Sequence, residues 1–375
     1  MRILQLGKFY PVLGGVEKVM FDITTGLSES GVECDMMCST ADGSESKVIR
    51  LNPDGRILCR RTWTKKAGTT IAPSMISELR RMAAGYDIIH IHHPDPMAAL
   101  ALMLSGYKGK VVLHWHSDIL SQRLLLKFYL PIQNWLIKRA DAIVGTSPVY
   151  LAQSPYLQKV QSKTRFIPIG ILPNRSDSDK VRTLRNEYSG RRIVFSLGRL
   201  VEYKGFRYLI ESARHLDDSY MVLIGGEGPL RENLQNQIDS EGLGNRVKML
   251  GRIPDEDLPA YYGACDLFCL SSVMKTEAFG IVQIEAMSEG RPVVATKIPG
   301  SGVSWVNEDG VSGINVEPCD GKAIAEAIKS VTKDRQVWES YSKGASRRFR
   351  DVFTKEAMIT SCLDLYYELL GNQGI

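Results

Sequence analysis

Short apolar runs typical of β-strands alternate with amphipathic helical stretches along the whole chain, and this alternation restricts the fold more than any other feature. In the first half, RILQLG, YDIIHIHH and KVVLHWHS predict strands, and residues 16–28 and 121–139 predict helices. The rhythm restarts after TRFIPIGILPNRSDSDK, whose prolines and polar tail are typical of a linker. Such alternation indicates parallel sheets covered by helices. We predict an α/β protein with two Rossmann-like, doubly wound parallel-sheet domains.

The linker position sets the predicted domain boundaries. We assign residues 1–168 to an N-terminal domain and 169–353 to a C-terminal domain, with a last helix over 354–375 that can pack back on the first domain. A chain of 375 residues is long enough for two cores. Ligands of doubly wound sheets bind outside the carboxyl ends of the strands, so we expect the site in a central cleft that both domains face.

Composition excludes several classes of protein. The first residues lack the apolar region of a signal peptide, and the longest apolar run, MAALALMLSG, is too short to cross a bilayer. Seven cysteines without a CxxC pair argue against a disulfide framework or a zinc ribbon, so we predict a cytoplasmic protein. The net charge of +5 and recurring basic pairs indicate either a solvated surface or attraction to phosphates. Without a basic stripe interleaved with aromatic residues, no nucleic-acid partner is expected.

Histidines are concentrated in two short pieces, HIHHPD and HWHSD, which hold five of the six in the chain. Strand alternation places His90 and His92 on one face of their strand, and His114 and His116 on one face of theirs. Two neighbouring pairs of this kind could supply zinc ligands, which would make the protein a metal-dependent hydrolase. Histidines at the carboxyl ends of strands also suit one wall of a ligand-binding cleft.

The stretch SSVMKTEAFGIVQIEAMSEGRPVVAT predicts a strand, a loop, and a helix that opens near Gly280 and stops at Gly290. Free N–H groups at such a helix N-terminus form an anion site. Glu277 on the loop and Glu285 on the helix can each accept hydrogen bonds from hydroxyls, of a sugar and of a ribose. Their spacing alone also arises by chance.

Two further loops follow predicted strands. SLGRLVEYKGF carries Arg199 and Lys204, a fork and a point charge suited to phosphate, or simply two solvated cations. PVLGGVE and GGEGP can bring backbone close to a phosphate. Neither glycine loop reads GxGxxG or GxxxxGK[ST], which argues against a nicotinamide dehydrogenase and a P-loop NTPase.

Together the motifs GGVE, HWHSD, GRLVEYKGF, GGEGPL and EAFGIVQIEAMSEGRPVVAT, in this order and spacing, resemble those of retaining glycosyltransferases of family 4, which have the GT-B fold. The resemblance covers nearly the whole chain and extends more loosely to enzymes that build bacterial surface polysaccharides. It implies transfer of a hexose, with mannose as the favoured candidate, from a nucleoside-diphosphate sugar to a glycan or a polyprenyl-diphosphate-linked acceptor. The pathway would be that of an O-antigen, a capsule or an exopolysaccharide.

The resemblance also implies that residues 1–168 form the acceptor-side domain and residues 169–353 the nucleotide-sugar-binding domain. It further implies roles for particular residues. Arg199 and Lys204 would hold the leaving diphosphate, Glu277 the donor sugar, and Glu285 the ribose. His116 would lie near the reacting sugar, and the base would lie against the loop GRIPD. The residues assigned to catalysis are His116, Arg199, Lys204 and Glu277. The residues assigned to the donor are Gly14, Gly15, Arg199, Lys204, Gly226, Glu227, Arg252, Ile253, Glu277, Ala278, Phe279, Gly280, Ile281 and Glu285.

Because no D-x-D motif follows a strand, neither a metal nor another cofactor is expected. Retention without a carboxylate nucleophile fits front-face attack, in which the leaving phosphate oxygen helps to deprotonate the acceptor; this step follows from the resemblance. Lys275 has no assigned role, and Asp118 either orients a loop or touches the acceptor.

The helix over 120–139 mixes apolar and basic residues, and Pro131 is expected to kink or split it. It either packs on the first sheet or turns one face to the membrane as a peripheral contact on its inner side. Other functions stay open at this point. They are a sugar-nucleotide epimerase or a phosphorylase on the same fold, the hydrolase built on His90, His92, His114 and His116, and a non-catalytic nucleotide-sugar-binding subunit.

Overall fold

The computed structural model describes residues 1–66, 69–119 and 123–371, without the side chains of Lys66 and of residues 123–126. The contacts divide the chain into two compact units. Unit 1 consists of Met1–Gly170 and Lys355–Ile375, and unit 2 of Ile171–Thr354. Each unit is built around a mostly parallel sheet with helices, so the predicted fold class of two Rossmann-like parallel-sheet domains is confirmed.

Unit 1 contains an eight-stranded sheet in the order β10-β9-β8-β7-β1-β2-β4-β3, and a separate hairpin of β5 and β6. All neighbours in the large sheet pair in parallel except β3 with β4. The strands are β1 (Arg2–Tyr10), β2 (Glu33–Thr40), β3 (Lys47–Asn52), β4 (Gly55–Arg60), β5 (Thr64–Lys66), β6 (Thr69–Ile71), β7 (Ile88–His93), β8 (Lys110–Trp115), β9 (Ala142–Gly145) and β10 (Thr164–Phe166). The helices are α1 (Gly15–Glu29), α2 (Ser74–Met82), α3 (Pro96–Ser105), α4 (Arg123–Arg139) and α5 (Pro148–Gln153).

The central strands of unit 1 are almost continuously buried, as expected for a sheet covered on both faces. Register places Gln5 beside His90, and His92 beside His114. The two predicted histidine pairs therefore lie on one face of adjacent strands.

Unit 2 contains a six-stranded parallel sheet in the order β13-β12-β11-β14-β15-β16. The strands are β11 (Arg192–Leu197), β12 (Tyr220–Gly225), β13 (Val247–Gly251), β14 (Leu267–Leu270), β15 (Val293–Thr296) and β16 (Gly313–Val316). The helices are α6 (Ser178–Glu187), α7 (Phe206–Ser212), α8 (Arg231–Ser240), α9 (Leu258–Ala264), α10 (Ile281–Ser288), α11 (Val303–Val306), α12 (Gly321–Val331) and α13 (Arg335–Val352).

The last helix, α14 (Lys355–Leu370), packs on α1 and so belongs to unit 1. The two helices approach closely at Gly26, where an added Cβ would lie 2.5 Å from Cγ1 of Ile359. Lys355 Nζ donates to Thr25 Oγ1 at 2.9 Å, which anchors the start of α14. The C-terminal residues thereby reach the sheet formed by the N-terminal residues.

Helix α4 runs through Pro131 as one helix from Arg123 to Arg139, so Pro131 does not split it. Residues 120–122 of the predicted helix lie outside the described residues. Tyr129 of α4 is buried and its ring stacks on His93, which shows that this face packs on the sheet. Within the described chain, no helix is both long and apolar enough to span a membrane.

Candidate active site

Lys204 and Glu277 form an ion pair at the carboxyl ends of the unit 2 strands. Lys204 Nζ lies 2.5 Å from Glu277 Oε2, and the two side chains are only 11% and 12% exposed. Ser272 Oγ donates to the same carboxylate oxygen at 3.0 Å. Burial opposes the charge on Lys204, but Glu277, followed by Tyr203, outweighs it and raises the pKa of the ammonium. The two residues, which were predicted separately, therefore form one buried ion pair.

Gly205 lets the Lys204 loop approach the segment after β14. Its φ is +63°, and an added Cβ would lie 2.1 Å from the carbonyl oxygen of Ser271. Ser271 Oγ donates to the carbonyl of Lys204 at 3.1 Å, and the Val273 N–H donates to that of Tyr203 at 2.8 Å. These bonds bring the loop after β11 against the loop that carries Glu277.

Helix α10 begins at Ile281, directly after Gly280, as predicted. Gly280 has φ +78°, and an added Cβ would lie 2.7 Å from Cδ2 of Leu270. In the described residues, no side chain caps this helix end. The preceding loop is held from the other side, because Ser301 Oγ donates to the carbonyl of Glu277 and the Gly302 N–H donates to that of Ala278 at 2.9 Å. The arrangement leaves a fixed, positively polarised helix end next to the ion pair.

The GGEGP loop packs against the loop that carries Arg199. Added Cβ atoms at Gly226 and Gly228 would lie 1.9 Å from the carbonyl oxygen of Gly198 and 2.4 Å from that of Leu200. The Leu200 N–H donates to the carbonyl of Glu227 at 2.9 Å. These glycines are thus required for close contact between two loops, and Arg199 and Glu227 remain exposed at this edge.

Glu285 lies further along α10 and is held by a buried tyrosine. Tyr262 Oη donates to Glu285 Oε2 at 2.6 Å, and burial, reinforced by Glu285, raises the pKa of the tyrosine. In the GRIPD loop, Arg252 is exposed, whereas Ile253 is buried against Gly225. Tyr262 was not predicted as a site residue, because a tyrosine inside an apolar helix looks like a core residue. Ser272 follows β14 at the expected edge, but it was not assigned a role.

In unit 1 the predicted residues fall on two loops. Gly14 and Gly15 are exposed at the start of α1, with Gly14 as the N-cap residue. His116 follows β8 and is almost fully buried, and its backbone N–H donates to the backbone carbonyl of His93 at 3.1 Å. Both loops leave the carboxyl ends of strands, where ligands of such sheets bind.

Asp118 anchors the loop after His116. Its Oδ1 accepts from Trp115 Nε1 at 2.9 Å and from Ser154 Oγ at 2.7 Å, while its N–H donates to Tyr150 Oη at 2.7 Å. Asp118 itself is buried. Of the two roles left open for Asp118, orienting the loop is the one these bonds support.

The rings of His90, His92, His114 and His116 form a parallel stack. Centroids of neighbouring rings lie 4.0–5.3 Å apart, and ring planes differ by 8–24°. Burial lowers the pKa of His114 to about 3 and that of each of the other three rings well below its usual value. All four rings are therefore neutral at pH 7.

Three of these rings lie close enough together to share a metal ion. Ring nitrogens of His90, His92 and His114 lie within 4.8 Å of one another. An imidazole nitrogen binds a metal in the plane of its ring, so the planes of ligands to one ion must converge on it. Both nitrogens of His92 are already bonded, one to His116 at 2.9 Å and the other to Gln5 at 2.8 Å, so a metal ion at His92 would have to replace one of these bonds.

Comparisons with known proteins identify the family to which the chain is related. Residues 13–175 match the family described as Glycosyltransferase Family 4, and residues 177–348 the family described as Glycosyl transferases group 1. The chain is 31% identical to O-antigen chain mannosyltransferase C of Escherichia coli, over 100% of both chains. It is 32% identical to D-rhamnosyltransferase WbpZ of Pseudomonas aeruginosa, over 94% of this chain and 92% of the relative.

Solved structures agree on the fold. Sucrose-phosphate synthase from Thermosynechococcus elongatus superposes with a TM-score of 0.81 at 22% identity, covering 99% of this chain and 100% of that one. HepE from Anabaena, in complex with UDP, superposes with a TM-score of 0.78 at 22% identity, covering 98% and 100%. The family models and the full-length relatives confirm the resemblance: the chain belongs to the family 4, group 1 glycosyltransferases, which have the GT-B fold.

Proposed function

We propose that the protein transfers a hexose, with mannose as the favoured candidate, from a nucleoside-diphosphate sugar to a growing polysaccharide, with retention of configuration and without a metal. The observation that carries this proposal is the buried Lys204–Glu277 pair beside the N-terminus of α10. The full-length similarity to an O-antigen chain mannosyltransferase supports mannose and an O-antigen acceptor. The similarity to a D-rhamnosyltransferase makes rhamnose the second candidate.

The chemistry needs stabilisation of a leaving diphosphate. Lys204 supplies a fixed ammonium, exposed Arg199 a guanidinium fork, and α10 the N–H groups of its first turn. Such preorganised donors stabilise developing negative charge without reorganisation at the moment of reaction. Because these groups carry the charge of the diphosphate, the reaction we propose uses no metal ion.

Glu277 and Glu285 bind different parts of the donor. Glu277 is held by Lys204 and Ser272, which fixes its carboxylate to accept hydrogen bonds from the transferred sugar. Glu285 is held by Tyr262 and accepts from the ribose hydroxyls. His116 contacts the sugar, and the exposed Gly14–Gly15 turn offers N–H groups to the diphosphate.

A polyprenyl-diphosphate-linked acceptor would bring the protein to the inner face of the membrane. On α4, Phe128 is 78% exposed and Lys127 beside it is also exposed. An apolar side chain next to a cation suits a surface of anionic lipid. Flotation with anionic liposomes at low salt tests this contact, with Phe128→Ser as the variant. Wild-type protein that stays at the bottom of the gradient would refute it.

The transfer itself is tested with a panel of guanosine, uridine and adenosine diphosphate sugars in the presence of chelator. We expect release of nucleoside diphosphate with a guanosine diphosphate hexose. NMR of the anomeric centre should show that the glycosidic bond of the product has the same axial orientation as the bond to phosphate in the donor. Activity that disappears in chelator and returns with a divalent ion would refute the metal-independent mechanism. An inverted anomeric centre would refute retention, and epimerised donor without acceptor would indicate an epimerase.

A further inference from the structure

A continuous chain of hydrogen bonds connects helix α14 to His116. It runs from His90 Nδ1 to Tyr366 Oη at 2.6 Å, from Tyr366 Oη to Gln5 Nε2 at 3.2 Å, from Gln5 Oε1 to His92 Nε2 at 2.8 Å, and from His92 Nδ1 to His116 Nε2 at 2.9 Å. We call it the Tyr366–His116 chain. All five side chains are buried.

The two distances at Tyr366 fix the direction of the chain. An O–H donor makes bonds of about 2.5–3.0 Å and an N–H donor about 2.7–3.2 Å. The bond of 2.6 Å to His90 therefore fits the phenol as donor to the imidazole nitrogen, and the bond of 3.2 Å fits the Gln5 amide as donor to the phenol oxygen. The opposite orientation of the Gln5 amide would require the phenol to give its proton to the longer bond.

Each bond then determines the next. Gln5 turns its NH₂ group to Tyr366, so its carbonyl oxygen faces His92 and must accept. His92 therefore carries its proton on Nε2. Because the neutral ring has only one N–H, its Nδ1 is an acceptor, and His116 must donate to it from Nε2. His116 is thereby left with an unprotonated Nδ1.

That remaining nitrogen is the open end of the chain. In the part of the chain that the structure describes, Nδ1 of His116 makes no hydrogen bond. It is also not one of the fully buried ring nitrogens without a partner, which belong to His90, His93 and His114. His116 also lies at the carboxyl end of β8, where ligands of such sheets bind. Its Nδ1 lone pair is therefore available for a hydrogen bond at this edge.

We infer that Tyr366 and Gln5, acting through His92, are positioning residues that hold His116 in its Nε2–H tautomer, so that Nδ1 accepts a hydrogen bond from a hydroxyl of the transferred sugar. This inference rests on the proposed contact between His116 and the sugar. A ring with the proton on Nδ1 would present an N–H instead, and the hydroxyl would have to turn its lone pair toward it. The C-terminal helix thus takes part in substrate recognition without touching the substrate.

The tautomer can be read in the ligand-free protein. Protein labelled with ¹⁵N histidine has only six rings to assign, and single His→Gln variants identify each one. Long-range ¹H–¹⁵N spectra at pH 7.5 distinguish protonated from bare ring nitrogens. We expect His116 and His92 to be protonated on Nε2 alone. A His116 ring protonated on Nδ1 would overturn the inference, whatever the activity.

Variants test which residue sets the tautomer. Gln5→Leu removes the acceptor for His92, so both tautomers of His116 should appear and transfer should fall about fivefold to tenfold at saturating donor. Tyr366→Phe leaves Gln5 free to turn and should give the same change in smaller amount. Tyr367→Phe on the same helix removes a hydroxyl outside the chain and serves as the matched control, with an unchanged spectrum and rate.

An unchanged His116 spectrum in both Gln5→Leu and Tyr366→Phe would overturn the positioning role. If Gln5→Leu does not fold, the wild-type spectrum and Tyr366→Phe still decide the outcome. The spectra need no substrate, so failure of the proposed transfer reaction appears only in the donor panel and is distinguishable from failure of this inference.

Discussion

The polar groups at the carboxyl ends of the strands differ in kind between the two units. In unit 1, the Tyr366–His116 chain is buried and neutral, because burial lowers the pKa of its histidines. In unit 2, Lys204 and Glu277 are almost equally buried but ionised, because each offsets the charge of the other. Burial keeps the histidines at the edge of unit 1 neutral, whereas pairing keeps Lys204 and Glu277 at the edge of unit 2 charged.

This difference fits the ligands that we propose for the two edges. A neutral, oriented imidazole discriminates hydroxyl groups by the direction of their hydrogen bonds and adds no charge to the site. A leaving diphosphate needs fixed positive charge, and a buried lysine keeps its charge only with a carboxylate beside it.

The largest expected effect is loss of unit 1 stability in acid. Five histidines, at positions 90, 92, 93, 114 and 116, have their pKa lowered by burial, whereas the pKa in the unfolded chain is about 6.5. Below that pH the unfolded chain binds more protons than the folded one, so stability is complete above it and falls as the pH falls. At pH 5.5 each histidine costs about 1.4 kcal/mol, and the five together roughly 7 kcal/mol.

Hydrogen exchange at pH 7.5 and 5.5, corrected for intrinsic rates, separates the two units. Amides of β7 and β8 should lose protection in acid, while those of β11 and β14 should keep most of theirs. Burial raises the pKa of Asp95 in unit 1, which acts in the opposite direction and makes the total smaller. Equal loss of protection in both units would contradict the contrast.

Removing Lys204 should have the next largest effect. Lys204→Met leaves Glu277 as an unpaired buried carboxylate and removes a donor to the diphosphate. We expect turnover to fall about 10²–10³-fold, and stability to fall by roughly 3–5 kcal/mol. The double variant Lys204→Met/Glu277→Gln should recover most of that stability and none of the turnover.

Urea unfolding and steady-state turnover at saturating donor measure the two effects. Lys248→Met is the matched control, since Lys248 and Glu187 also form an ion pair in unit 2, at 2.8 Å, but both side chains are about half exposed. Its turnover and stability should be nearly unchanged. Recovery of turnover in the double variant would show that Lys204 only compensates Glu277.

Each half of the ion pair could be predicted from the sequence, but the pair could not. Lys204 follows one strand and Glu277 follows another, and parallel strands end at one edge, so both residues were expected there. They are 73 residues apart, and they meet because the two loops approach closely at Gly205, which has the αL conformation. No local pattern reports which strand-end residues will touch.

The fold could be predicted because hydrophobic periodicity is a local property of the sequence. Contacts between residues far apart in the sequence leave no local pattern and could not be predicted. Strands β3 to β6 and β10 were not predicted. Strands β5, β6 and β10 have only three residues each, and β10 falls in the predicted linker. In β3 and β4 charged residues interrupt or flank short apolar runs, although the apolar centre of β4 is buried. Gln5 gives one signal, a polar residue inside an apolar strand. Tyr366 gives none, since it is 361 residues away from Gln5 and looks like a core residue of an amphipathic helix.

Substitution of His116 tests the neutral side of the contrast. His116→Ala removes one hydrogen-bond acceptor for the sugar, and we expect turnover to fall about 10–100-fold, corresponding to about 1.4–2.7 kcal/mol. His215→Ala, at an exposed histidine of unit 2, is the control and should keep full activity. His116→Ala with normal turnover would remove His116 from the site.

The smallest expected effect concerns the buried partner of Glu285. Tyr262→Phe removes the hydroxyl that donates to Glu285 at 2.6 Å, so the carboxylate loses one restraint on its orientation toward the ribose. We expect the KM for the donor to rise about fivefold, equivalent to one ordinary hydrogen bond, with turnover at saturation unchanged. A donor with 2′-deoxyribose separates this role from general packing. If Glu285 binds the ribose, Tyr262→Phe should weaken binding of the natural donor more than binding of the deoxy donor. A purely structural change would weaken binding of both donors equally. The neighbouring variant Tyr261→Phe is the control and should weaken binding of neither donor.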